Sequence, residues 1–132
     1  MKIIFSLSLM ILLEDIKKAH NNISSYIYKT PQIYSNALST DNQKVYLKLE
    51  SMQITGSFKF RGAINKLLSL DVEQKKRGVI AVSTGNHGKG VAYAAKQLGI
   101  KSKIFMSSLV PKYRCNAIES LGAIVELSLI HI

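Results

Sequence analysis

Apolar residues recur along this chain with two different periods, and the alternation between them predicts the elements. Ile16, Ala19 and Ile23 fall on one helical face, which predicts a helix over Glu14 to Ser25. Thr30-Pro31 then forces extended backbone, because proline disfavours the helical region for its predecessor. Val45 to Glu50 alternates, is rich in β-formers and predicts a strand. Ser57 to Leu70 predicts a helix, with Ser57 as N-cap candidate and Phe60, Ala63, Ile64, Leu67 and Leu68 on its inward face. Gly78 opens the short buried strand Val79-Ile80-Ala81-Val82. The loop Ser83 to Gly88 leads into a helix carrying Val91, Ala92, Ala95 and Leu98, which Gly99 closes. A strand over Ser102 to Met106, a helix over Lys112 to Leu121 and a strand over Gly122 to Val125 complete the series. Strands alternating with helices through glycine-marked turns predict the α/β class, a three-layer parallel sheet with flanking helices on both faces.

Composition narrows the function classes. The 132 residues are 47% hydrophobic and 20% charged, enough for a modest core and too apolar for a disordered chain. The single cysteine, Cys115, excludes an internal disulfide framework and fits a reducing, cytoplasmic compartment. Cys115, His20, His87 and His131 show no metal-ligand spacing, so no metal site is expected. The net charge of +10 comes from Lys and Arg scattered along the chain, with no run longer than three. Nucleic-acid binders concentrate such charge and interleave aromatics, so solvated helix faces are the better explanation and no nucleic-acid partner is expected. An anionic small molecule gives sufficient reason for part of the positive field.

The two ends read differently from the middle. Met1-Lys2 followed by Ile3 to Leu13 is similar to a secretory signal, but the stretch is too short to span a membrane. Glu14-Asp15-Ile16-Lys17-Lys18 stands where a small-residue cleavage site belongs. Residues 1–12 are therefore expected to be a leader-like upstream extension or a mis-called start, with no membrane partner. Leu127-Ser128-Leu129-Ile130-His131-Ile132 is similar to the translation of a transposase end used in sequencing libraries, so 127–132 is expected to be an adaptor scar. A short apolar strand is the alternative for that tail.

Two glycine-containing turns carry candidate chemistry. Thr55-Gly56-Ser57-Phe58-Lys59 places a lysine in the first turn of a helix, where free N–H groups and the positive helix end disfavour a further cation. Such a place suits an amine that must attack a carbonyl. Taken alone, an ordinary surface lysine at a frayed helix start explains it better. Ser83-Thr84-Gly85-Asn86-His87-Gly88 lies between a strand end and a helix start, where open α/β sheets bind anionic groups. Its hydroxyls, amide and glycines make an oxyanion cradle suited to a carboxylate, whereas a tight capped turn would explain only the glycines. Gly85 to Gly90 is neither a dinucleotide fingerprint nor a P-loop, which needs Ser or Thr after Gly-Lys.

Lys48-Leu49-Glu50, Thr55 to Ala63, and Ser83 to Gly88, in this order and separation, resemble the fold-type II pyridoxal-phosphate enzymes. Within that tryptophan synthase β-like fold, the threonine and serine dehydratases and serine racemase are the most similar branch. Thr30-Pro31 and Ala117 to Ala123 also match, and the resemblance covers residues 13–126, the expected partial catalytic region. It implies that Lys59 is the Schiff-base lysine for pyridoxal 5'-phosphate and the base at the substrate's α-carbon. It further implies that Phe58 packs beside the cofactor ring and that Asn86 bonds the pyridoxal hydroxyl oxygen. Ser83, Thr84, Asn86 and His87 would hold the substrate carboxylate. The implied activity is that of a threonine or serine ammonia-lyase, converting a small β-hydroxy amino acid to a 2-oxo acid and ammonia. Serine racemase and a hydroxyectoine-type dehydratase are the alternatives, followed by a non-catalytic anion-binding module.

Two departures qualify the resemblance. Thr84 stands where racemases of this group carry a catalytic serine, and its methyl crowds that face. The family's glycine-rich phosphate loop and pyridine-nitrogen partner lie outside these residues. The chain is thus expected to be a truncated N-terminal fragment, inactive alone, of a protein that forms a homo-oligomer at full length.

Overall fold

The structure, a computed structural model, describes residues 10–128. The expected extension over 1–12 and scar over 127–132 fall largely outside them; Met10 to Leu12 are exposed, while Leu127 and Ser128 lie in a strand. Helix α1 (Leu13–Ile23) begins where the Asp15 carboxylate accepts the Leu12 N–H at 2.9 Å, and it buries Ile23. Strand β1 (Gln32–Tyr34) starts directly after Pro31 and pairs antiparallel with β2 (Tyr46–Lys48), Ile33 opposite Leu47. The antiparallel pair departs from the all-parallel expectation. Proline fixes an extended start to β1, and the Tyr34 and Tyr46 rings meet edge-to-face at 5.4 Å.

Helix α2 (Lys59–Leu68) starts later than predicted. Phe58 is its N-cap and already has helical backbone angles, so Ser57 stands one position too early to cap it. The Ser57 hydroxyl is instead buried without a partner. Helix α3 (Val72–Arg77) was not predicted, although its capping box is in the sequence. The Asp71 carboxylate accepts the Gln74 N–H at 2.7 Å and Gln74 Oε1 accepts the Asp71 N–H at 3.0 Å.

Strands β3 (Val79–Val82), β4 (Ser102–Ser107) and β5 (Ile124–Ser128) form a parallel sheet in that order. Helices α4 (Asn86–Gln97) and α5 (Lys112–Glu119) supply the crossover connections that parallel neighbours require. The expected parallel sheet with flanking helices is thus present, but among the described residues the helices cover one face of it and not both. Both helices lie against the sheet face that carries Ala81, Ile104 and Val125. On the opposite face Ile80 and Ile124 are exposed, and Lys103 pairs with Glu126 at 2.7 Å. The core joins α2, α4 and the sheet through Phe60, Ile64, Ile104, Met106 and Ile118, all fully buried. No helix among the described residues is long and apolar enough to cross a membrane.

Candidate active site

Lys59 is the first residue of α2, and its ammonium lies 4.8 Å from the centroid of the Phe58 ring. Both side chains are exposed at the mouth of a cleft of about 530 Å³ between α2, β3 and the start of α4. His87 lines the same cleft from α4. Its walls include Ala63, Leu67, Val79 and Val91, an apolar setting for a flat ring.

The approach of the two helices sets this arrangement. At Gly90 a Cβ would stand 3.2 Å from the Lys59 carbonyl carbon and from the Phe60 nitrogen, so a side chain there would crowd the α2 backbone and a bare backbone lets α4 pass so near. One turn further on, the Tyr93 ring meets Phe60 edge-to-face at 5.2 Å. The lysine and the histidine therefore face one cavity because the strongest helix contact of the fold lies beneath them.

The second predicted group divides. Thr84 and Asn86 line a neighbouring cleft of about 360 Å³, together with Lys89, Tyr113 and Arg114. Ser83 lines neither cleft; its hydroxyl accepts the N–H groups of Gly88 at 3.0 Å and Gly85 at 3.3 Å. The helical ladder of α4 begins with the Lys89 N–H on the Gly85 carbonyl at 3.2 Å. That leaves the Asn86 and His87 N–H groups without a partner among the described residues, at the positive end of the helix, an arrangement that attracts an anion.

The sequence pattern named Glu50 and Arg61 only as parts of motifs, and the structure joins them. Arg61 grips Glu50 with two bonds of 2.8 Å, from Nε and Nη2, while the Thr30 hydroxyl donates to the same carboxylate at 2.6 Å. Arg61 Nη2 also reaches the Tyr28 carbonyl at 3.3 Å. The Arg61 guanidinium, chiefly, holds the Glu50 carboxyl down to about 2, with Thr30 and Lys48 assisting and burial opposing. The pair ties the first turn of α2, and so the backbone of Lys59, to the segment around Thr30-Pro31. No periodicity could have found it, because the partners lie in different elements.

The chain is also similar to known proteins. The family model described as pyridoxal-phosphate dependent enzyme matches residues 23–129. An L-threonine ammonia-lyase of Thermotoga maritima is 45% identical over 119 residues, covering 89% of this chain and 30% of that protein. A catabolic L-threonine dehydratase of Staphylococcus aureus is 50% identical over 117 residues, covering 87% of this chain and 34% of its own length. A crystal structure of serine racemase from Dictyostelium discoideum superposes with a TM-score of 0.85 at 38% identity, covering 92% of this chain and 40% of that one. The chain thus spans about a third of the length of the curated relatives it matches. With a lysine and a histidine facing one apolar cleft, and with that match across most of its length, the chain belongs to the family of pyridoxal-phosphate dependent enzymes.

Proposed function

We propose that this chain is the lysine-bearing part of an ammonia-lyase acting on threonine or serine, with Lys59 as the residue that joins the cofactor. The observation that carries the reading is the cleft shared by Lys59, Phe58 and His87. The names of the two curated relatives support threonine as the substrate.

The residues present fit the cofactor. An exposed amine stands at the edge of an apolar cavity, and Thr55 and Ser57 just before it keep buried hydroxyls without partners. When bound, pyridoxal phosphate supplies an electron sink for the substrate's α-carbon. The side chains do the positioning and the proton transfer. Lys59 Nζ would hold the cofactor through its aldehyde carbon, with loss of water, and, once displaced there by the substrate amine, would take the α-proton; Phe58 would pack beside the ring, and Asn86 would donate to the pyridoxal hydroxyl oxygen. Thr84, Asn86 and His87, with the open amides of the loop, would hold the substrate carboxylate, while Ser83, expected beside them, turns its hydroxyl to the amides of its own loop. Of these loop contacts, His87 shares the lysine's cleft, while Thr84 and Asn86 open on the neighbouring one. The overall reaction would convert threonine to 2-oxobutyrate and ammonia. The reading carries with it a cytoplasmic enzyme that is a homo-oligomer at full length.

The complete protein loaded with cofactor should absorb in the violet, and borohydride should fix the label on Lys59. Threonine should yield equal amounts of 2-oxobutyrate and ammonia. Labelling at another lysine would remove the assignment. Inverted serine without ammonia would favour the racemase reading, which the likeness to the Dictyostelium discoideum structure supports.

A further inference from the structure

We infer that Ser83 is a positioning residue, whose hydroxyl braces the Ser83–Gly88 turn and leaves the Asn86 and His87 amides as the donors that grip an acid group. The inference deepens the proposed function and rests on its assignment of this loop to a carboxylate.

A hydroxyl oxygen has two lone pairs and one hydrogen. Both lone pairs of Ser83 Oγ point at amides of its own turn, Gly88 at 3.0 Å and Gly85 at 3.3 Å. Its backbone N–H donates to the Phe105 carbonyl of β4 at 3.0 Å. Ser83 thus joins the sheet, through its main chain, to the start of α4, through its side chain.

Gly88 explains why the brace is needed. It is buried, and a Cβ there would stand 3.1 Å from both Ile104 Cγ2 and Ile118 Cδ1. The bare backbone lets the first turn of α4 settle onto the core, which takes the Gly88 N–H away from water. A buried amide must find a partner, and Ser83 is the one it has. Of the three amides ahead of the helical ladder, the brace consumes the innermost and fixes the direction of the outer two.

Amide exchange in the ligand-free complete protein tests this. Gly88 should exchange at least about tenfold more slowly than His87, as a bonded buried amide does beside an open one. Ser83→Ala should speed Gly88 exchange by about three- to tenfold, the worth of one such hydrogen bond. The same variant should raise the KM for threonine by a similar factor and change kcat less, and Ser83→Thr, which keeps the hydroxyl, should restore both. Equal exchange at Gly88 and His87 in the unmodified protein overturns the brace without any variant. A raised KM with Gly88 exchange unmoved makes Ser83 a direct ligand, and faster exchange with KM unmoved removes its part in binding. Failure to label Lys59 would sink the enzyme reading separately, because the exchange measurement needs neither cofactor nor turnover.

Discussion

Replacing Lys59 by alanine in the complete protein is expected to abolish turnover while leaving the fold intact. The side chain is proposed to act twice, as covalent anchor and as base at the α-carbon. Loss of a positioned base alone costs about 10²- to 10⁴-fold, so the combined loss should lower kcat by about 10⁴-fold or more. Stability should hardly move. Lys59 is exposed, has no carboxylate partner among the described residues and lies over the Phe58 ring. Alanine is the better helix former, and removing a cation from the positive end of α2 is mildly favourable, so the change should stay within about 0.5 kcal/mol. Steady-state rates and thermal melts on the purified variant give both numbers. A variant with more than a hundredth of the original kcat would show that another amine does this work.

Much of the fold could be read from the chain because its pattern is strong where burial is one-sided. The Phe60, Ala63, Ile64 and Leu67 stripe predicted α2, and all four are buried. The run Val79 to Val82 predicted the bounds of β3 to the residue, since glycine opens it and a polar loop ends it, but it was expected to be buried and Ile80 and Val82 are exposed. What escaped was pairing and direction. β1 is three exposed residues, so no apolar alternation announced it. Helix α3 has no buried residue, and only its cap at Asp71 and Gln74 could have revealed it.

The candidate site was legible in the same uneven way. Lys59 and the Ser83 to Gly88 loop could be named as chemistry, and the structure puts Lys59 and His87 on one cleft. The sequence could not say that the loop's side chains part company, Ser83 inward and Thr84 with Asn86 to a second cleft. That division follows from the turn's own hydrogen bonds, which depend on how deeply Gly88 sinks against Ile104 and Ile118. A motif records residue types in order; it does not record which of them spend their hydrogen bonds on each other.

The pair Glu50–Arg61 should prove the most consequential contact outside the cleft. Its side chains keep only 18% and 24% of their exposure, so the charges meet where water screens them weakly. In the folded chain the Glu50 carboxyl lies at about 2 against an ordinary 4.5. Each unit is worth about 1.4 kcal/mol, so ionised Glu50 favours the fold by something on the order of 2–3 kcal/mol. Because the folded value is the lower one, this contribution is complete above about pH 5. It fades as protons bind the unfolded chain first, and it is gone once the pH falls through the folded value near 2. Glu50→Gln should therefore lose about 2–3 kcal/mol at pH 7, with Arg61 left half-buried beside a neutral amide. At pH 3 the gap between variant and original should shrink by more than half. Urea unfolding of both proteins at the two pH values decides it, and parallel stability curves would mean that Arg61 does not hold this carboxylate in solution. Activity should fall as well, by about tenfold, because Arg61 anchors the turn that aims Lys59 and small misplacements of a reacting group are costly.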